Sequence, residues 1–198
     1  MRVIAGNARG KRLKAPSGLH TRPITDMIKE ALFNVWGSDI FEAKVLDLFA
    51  GSGSVGIEAL SRGAAQAVFV DNDKNAMITI GENLKNCGFE VGYELYHNDV
   101  FRALDILARN RRCFDYIYVD PPFTVDRIFD KVMIVLGKAE LLNHEGILVI
   151  RTRRQRELAA SFEKLIKYRE KDYGESTLHY YRWIEEDQNN DGDIQDFR

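Results

Sequence analysis

The chain has 198 residues, enough for one large α/β domain with an appendage and too few for two full domains. Its 45% hydrophobic content suffices for one core; no apolar stretch approaches the ~20 residues that span a bilayer, and Met1–Gly6 lacks a signal-peptide core, so the expected compartment is the cytoplasm. The net charge of −2 conceals an asymmetry: residues 1–24 carry Arg2, Arg9, Lys11, Arg12, Lys14 and Arg22 with no acid, whereas Glu185, Glu186, Asp187, Asp191, Asp193 and Asp196 crowd the carboxyl end.

Residues 2–6 and 11–15 are short strand-like runs joined by Gly6-Asn7-Ala8-Arg9-Gly10, whose glycines and asparagine suit a hairpin loop, so residues 1–24 are expected to form a basic β-hairpin arm. After Pro23, Thr25 can cap a helix in which Ile28, Ala31, Leu32, Val35 and Trp36 recur at helical spacing and Gly37 is the stop. From Lys44 strand and helix alternate. Strands are expected at 45–49, 67–70, 91–96, 114–119 and 146–152, with helices ending at Arg62-Gly63 and covering 73–87, 101–109 and 128–136. A charged helix at 155–167 and two strand-like runs, 168–173 and 179–184, joined through Gly174, complete the pattern. The expectation is a mostly parallel seven-stranded sheet with an antiparallel edge pair, the domain running over 25–184 and the acidic residues 185–198 forming a disordered tail.

Gly51-Ser52-Gly53-Ser54-Val55-Gly56 follows the first of these strands and opens a helix, an arrangement in which free backbone N–H groups meet a ligand. A dinucleotide site has the same glycines, with an acid commonly ≈ 20 residues on, whereas Asp71 follows Gly56 by fifteen, a spacing that does not by itself exclude NAD. Asp47, ahead of the glycines, favours a ligand that carries an ammonium, which S-adenosylmethionine has and NAD lacks. Asp71 can accept from both ribose hydroxyls, and Asp99 either accepts from an adenine amine or caps the following helix. Val100 or Phe101 can line the adenine pocket or belong to the core.

Asp120-Pro121-Pro122-Phe123 ends the strand at 114–119 and points to methyl transfer onto an exocyclic amino nitrogen. Such an amine is a poor nucleophile until its N–H groups rest on acceptors. The Asp120 carboxylate and the Pro121 carbonyl supply two, the rings of Pro121 and Pro122 stiffen the backbone, and Phe123 offers a face on which a flipped base stacks. Arg151, Arg153, Arg154 and Arg156 form a second basic cluster at the carboxyl end of a core strand, or a solvated helix start. Cys87 and Cys113 fit no metal-ligand spacing and read as reduced, partly buried thiols; the four histidines read as structural, and no metal site is expected.

With these residues in view, the chain resembles class I, Rossmann-like, S-adenosylmethionine-dependent methyltransferases and, more closely, the bacterial RsmD family of small-subunit ribosomal RNA guanine-N2 methyltransferases. The resemblance covers roughly residues 1–184. It rests on Arg2-Val3-Ile4-Ala5-Gly6 with Arg9-Gly10-Lys11, Thr21-Arg22-Pro23-Ile24-Thr25-Asp26, Lys29-Glu30-Ala31-Leu32-Phe33-Asn34, Asp47-Leu48-Phe49-Ala50-Gly51-Ser52-Gly53 and Asp120-Pro121-Pro122-Phe123. The resemblance implies transfer of one methyl to a guanine N2 in 16S rRNA, at position 966, within the 30S subunit or its assembly intermediate. It further implies a monomer that leaves S-adenosylhomocysteine as product, with Asp47, Phe49, Ala50, Gly51, Gly53, Asp71, Asn72, Asp99 and Val100 around the cofactor, and Asp120, Pro121, Pro122 and Phe123 at the amine. Arg9, Lys11, Arg12, Lys14 and Arg22 would meet RNA phosphates. Ser54, where many relatives carry a small or glycine residue, departs from the pattern, and the acidic tail lies outside it. The alternatives are an adenine-N6 methyltransferase, which usually needs a target-recognition domain that this chain has little room for, a non-catalytic RNA-binding or assembly factor, and, more remotely, an NAD-dependent reductase.

Overall fold

The computed structural model describes residues 1–17 and 24–184. Arg22, the Thr21-Arg22-Pro23 run, His20 and the acidic tail at 185–198 lie outside the described residues.

One eight-stranded sheet organises the chain, with β1 (Lys44–Leu48), β2 (Gln66–Asp71), β3 (Tyr93–His97), β4 (Phe114–Val119), β5 (Leu142–Arg153), β6 (Ser161–Phe162), β7 (Leu165–Tyr173) and β8 (Ser176–Trp183). The spatial order is β3-β2-β1-β4-β5-β8-β7-β6. The first five strands are parallel, β8 runs antiparallel to β5, and β7 and β6 continue antiparallel. The strand order reverses between β1 and β4, the switch point at which open α/β sheets take ligands.

Among the described residues five α-helices cover the two faces: α1 (Asp26–Trp36), α2 (Ser54–Ser61), α3 (Lys74–Cys87), α4 (Val100–Arg109) and α5 (Asp126–Lys138). Strand residues alternate between the faces with a period of two. Leu46, Leu48, Ile117, Val119, Leu148 and Ile150 join α4 and α5 in one core, while Val45, Tyr116, Tyr118 and Val149 join α1 and α2 in another. A third cluster sets Val3, Ala8 and Leu13 against Ile57, Phe69, Ile80 and Leu84. Each of the central strands β1 and β4 therefore carries apolar side chains on both faces, as a sheet covered on both sides requires.

The helix signals act as the sequence predicts. Thr25 Oγ1 accepts from the Ile28 N–H at 3.3 Å, and Gly37, at φ 65°, donates its N–H to the Phe33 carbonyl. Asp73 caps α3 by accepting from the Asn75 N–H at 2.9 Å. The amino-terminal hairpin forms, but with a single antiparallel bridge, Arg2 to Arg12, in place of two strands. It is docked: Val3, Ala8 and Leu13 are buried.

Residues 155–167 are not the expected helix; they form a turn, the short β6, which makes the sheet eight-stranded where seven strands were expected, and the start of β7. Leu158, Phe162 and Leu165 do recur at helical spacing and are all buried, but they reach the core from extended backbone that turns tightly at Glu163, where φ is 53°. Pairing decides the contest: Phe162 faces Leu165, Ser161 faces Ile166, and Lys167 N–H donates to the Ala160 carbonyl, so the β7 edge gains a ladder that a helix would leave open. Cys113 is exposed and Cys87 half-buried, so only Cys87 matches the expected partly buried thiol.

Candidate active site

A cleft of about 1460 Å³ opens at the carboxyl ends of β1, β2 and β4. Gly53 and Gly56 explain the geometry of its floor. Gly53 sits in the left-handed region (φ 73°) as the residue before α2, and a Cβ on Gly56 would come within 2.3 Å of the Phe69 ring, so only glycine lets α2 lie this close to β2. The loop between is held by side chains. Asp47, only 2% exposed, accepts from the Gly56 N–H at 3.0 Å, and Asp71 accepts from the Gly51 N–H at 2.8 Å through one oxygen and from the Asp73 N–H at 2.9 Å through the other.

Twelve of the thirteen residues expected at the cofactor and amine line the cleft: Asp47, Phe49, Ala50, Gly51, Asp71, Asn72, Asp99, Val100, Asp120, Pro121, Pro122 and Phe123. The other, Gly53, stands behind the wall at the start of α2. Asp99 takes the capping role: its Oδ1 accepts from the Phe101 N–H at 2.9 Å, while the residue still borders the cleft. Between the two candidates for the adenine pocket, Val100 lines the cleft; Phe101 packs on the core with the Lys131 ammonium 4.1 Å from its ring centroid.

Asp120 is fixed from three directions. Its backbone N–H donates to the Leu48 carbonyl at 3.2 Å, tying the end of β4 to the end of β1. Its Oδ1 accepts from Arg151 Nε at 2.8 Å, and its Oδ2 from the Tyr118 hydroxyl at 3.4 Å. The sheet brings this about. Val119 and Ile150 are paired in the β4–β5 ladder, so Asp120, just past the end of β4, lies beside Arg151, which continues in β5, and the period of two puts Tyr118, Asp120, Val149 and Arg151 on one face. Sequence reasoning treated Arg151 as one cation of a basic cluster and missed Tyr118. The spacing of Tyr118 and Asp120 was visible; the lateral partner Arg151 needed the register.

Asp47, Asp71 and Asp120 all line the cleft, and Asp120 is paired with the buried guanidinium of Arg151. Burial pushes the carboxyl groups of Asp47, Asp71 and Asp120 above the usual carboxylate range, far above it for Asp47, where the nearby negative charges of Asp120 and Asp71 add to the effect. Arg151 acts the other way on Asp120, favouring its ionised form. A buried carboxylate with no cation against it is costly, and Asp47 has none among the described residues, so it fits a ligand that brings a positive charge.

The arm residues lie elsewhere. Arg9, Lys11, Arg12 and Lys14 are exposed and none lines the cleft; Lys14 pairs with Glu82 at 2.8 Å. The second basic cluster divides: Arg154 pairs with Asp172, Arg156 with Asp126 and Asp130, and Arg151 with Asp120, while Arg153 is exposed at the mouth of the cleft.

The family profile described as "Conserved hypothetical protein 95" matches residues 1–182. The chain belongs to this family, the RsmD family. It is 37% identical over 182 residues to "Putative rRNA methyltransferase YlbH" of Bacillus subtilis, covering 92% of this chain and 98% of that one. It is also 37% identical over 123 residues to "Ribosomal RNA small subunit methyltransferase D" of Escherichia coli K12, covering 62% of this chain and 60% of that protein. Among solved structures, a hypothetical protein of Thermus thermophilus superposes with a TM-score of 0.80 at 27% identity, over 92% of this chain and 99% of the other. The fold is that of α/β methyltransferases.

Proposed function

We propose that this RsmD-family protein methylates bacterial ribosomal RNA with S-adenosylmethionine, transferring one methyl to the exocyclic N2 of a guanine in 16S rRNA, position 966 by family resemblance, on the small subunit or an assembly intermediate in the cytoplasm. The observation that carries the reading is the placement of Asp120-Pro121-Pro122-Phe123 on the same cleft as Asp47 and Asp71.

Residues and cofactor fit in charge and shape. Asp47 would face the amino-acid ammonium, Asp71 the ribose hydroxyls, and Asp99 with Val100 the adenine, while Phe49, Ala50, Gly51, Gly53 and Asn72 shape the loop around them. When bound, the cofactor supplies an electrophilic methyl group on a sulfonium sulfur. Asp120 and the Pro121 carbonyl accept the two N–H bonds of the guanine amine and so turn its lone pair out of conjugation and towards the methyl carbon. The amine nitrogen, on taking the methyl group, would shed one proton to solvent or to the Asp120 carboxylate. Arg151 favours the ionised form of that carboxylate, which is acceptor-only. Phe123 takes the face of the flipped base.

The test is to extract 16S rRNA from a strain lacking the protein, incubate its small-subunit particles with the pure protein and methyl-labelled cofactor, and map the product by mass spectrometry. A single N2-methylguanine that is absent from the starting RNA is the expected result; a methyl on adenine N6, or none, would overturn the reading.

A further inference from the structure

Arginines 151, 153, 154 and 156 cluster at the end of β5, and the structure sorts them by what they touch. Three have carboxylate partners: Arg151 with Asp120 at 2.8 Å, Arg154 with Asp172 at 2.9 Å, and Arg156 with Asp126 and Asp130, each at 3.1 Å. Arg153 has no carboxylate within ion-pair distance among the described residues. It is exposed, it lines the mouth of the cleft, and its guanidinium carbon lies 5.8 Å from the centroid of the Phe123 ring.

The charge around it gives this position a consequence. Asp47, Asp71 and Asp120 bring three carboxylates to the cleft, and Arg151, already paired, is the buried cation among them. A nucleotide entering this cleft carries its own negative phosphate towards that field, and the repulsion must be met by a cation at the rim. The exposed arm cations Arg9, Lys11 and Arg12 do not line the cleft, so they can hold RNA farther along its backbone but not at the point of entry. Arg153 stands beside Phe123, with a planar fork of donors suited to phosphate oxygens.

We propose that Arg153 binds the phosphate flanking the flipped nucleotide and, with Phe123 beneath the base, fixes the target at the cleft mouth. This rests on the cleft being an RNA base-methylating site. It makes Arg153 a substrate-binding residue whose contribution is separate from that of the amino-terminal hairpin.

The experiment measures two quantities for wild type, Arg153→Ala and Arg153→Lys, each with S-adenosylhomocysteine binding checked by calorimetry. The first is the salt dependence of affinity for 16S rRNA from a strain lacking the protein; the second is kcat and KM for methylation of small-subunit particles from the same strain. Arg153→Ala is expected to lose about 0.7–0.9 units of slope in log affinity against log salt, and to lower kcat/KM about ten- to hundredfold, with the nucleoside affinity unchanged. Arg153→Lys, which keeps the charge without the fork, should restore the slope and only part of kcat/KM. Unchanged slope and unchanged kcat/KM in Arg153→Ala would overturn the proposal while leaving the methyltransferase reading intact. Should the wild type bind the RNA but methylate no base, that reading falls, and the slope of Arg153→Ala still decides whether Arg153 meets a phosphate.

Discussion

The buried Glu58 and the part-buried Asp120, on the same side of the sheet, are both paired with cations, and they are finished to different degrees. Glu58, on α2, has no exposed surface, and its two oxygens accept from four donors: the Ile4 N–H at 2.8 Å, the Ala5 N–H at 2.9 Å, Arg62 Nε at 2.9 Å and Lys29 Nζ at 3.1 Å. Lys29 donates further to the Arg2 carbonyl and to Ser54 Oγ, so this knot ties the amino-terminal hairpin, α1 and the start of α2 together. Among the described residues Asp120 has one side-chain donor on each oxygen, the one from Tyr118 as long as 3.4 Å, and it opens on the cleft. A carboxylate saturated by the protein can only hold structure; one left with unused lone pairs beside a cavity can accept from something that enters. Ser54 also finds its explanation here, as a buried partner of Lys29 that also borders the cleft.

The difference can be broken from either side. The largest expected effect is on stability at the saturated knot. Glu58→Ala strips the partner from a lysine that burial already drives towards neutrality and orphans two backbone N–H groups; about 3–5 kcal/mol of unfolding free energy should go, read as a lower urea midpoint with an unchanged m-value. A variant as stable as wild type would mean that the hairpin is not fastened by Glu58.

On the cofactor side, Asp71→Ala should weaken S-adenosylmethionine binding by about 1.5–3 kcal/mol for each hydrogen bond lost. Calorimetry on protein whose fold is verified by circular dichroism makes the check, and unchanged affinity would remove Asp71 from the ribose.

The pH dependence sharpens the comparison without deleting the carboxylate. Asp120 titrates above the ordinary carboxylate range because of burial, and Arg151 partly opposes this. The ionised form is the one that accepts both amine N–H bonds, so kcat should fall as pH drops through that raised value. In Arg151→Met the counteracting charge is gone, the Asp120 value rises further, and the acid limb of the kcat profile should move to higher pH. The sign for stability agrees: a carboxyl raised in the folded state costs stability as pH climbs past its unfolded value, and more so in Arg151→Met. A limb that stays in place would show that Arg151 does not tune Asp120.

The smallest effect belongs to the hairpin surface. Replacing Arg9, Lys11, Arg12 and Lys14 with Ala should lower the salt slope of RNA affinity by roughly two to three units, since Lys14 already has Glu82 as a competing partner. Sequence preference should hardly change, and no loss of slope would remove the hairpin from the RNA surface.

Much of this architecture could be read from the chain. The alternation of apolar strands with capped helices gave the parallel sheet and its antiparallel edge, and Gly51, Gly53, Asp47 and Asp71 marked the ligand end because a strand followed by a glycine loop and a helix leaves few other geometries. Residues 155–167 were misread because Leu158, Phe162 and Leu165 match a helical face, while the edge of β7 that claims them is far from any local signal. Arg151 was legible as a cation but not as the partner of Asp120, because that contact comes from the β4–β5 register. The hairpin side of the Glu58 knot was not legible either, because it joins Glu58 to Ile4 and Ala5, more than fifty positions away.

The central claim is that Asp120 keeps acceptor capacity for the reacting amine. Its most direct test is single-turnover methylation of small-subunit particles by Asp120→Ala, with Asp120→Asn alongside and cofactor affinity measured on both. The expected result is a rate about 10²–10³ lower for Asp120→Ala and a milder loss for Asp120→Asn, which keeps an acceptor oxygen, with cofactor binding nearly intact in each. Near wild-type turnover in Asp120→Ala would contradict the amine clamp and return Asp120 to the same structural role as Glu58.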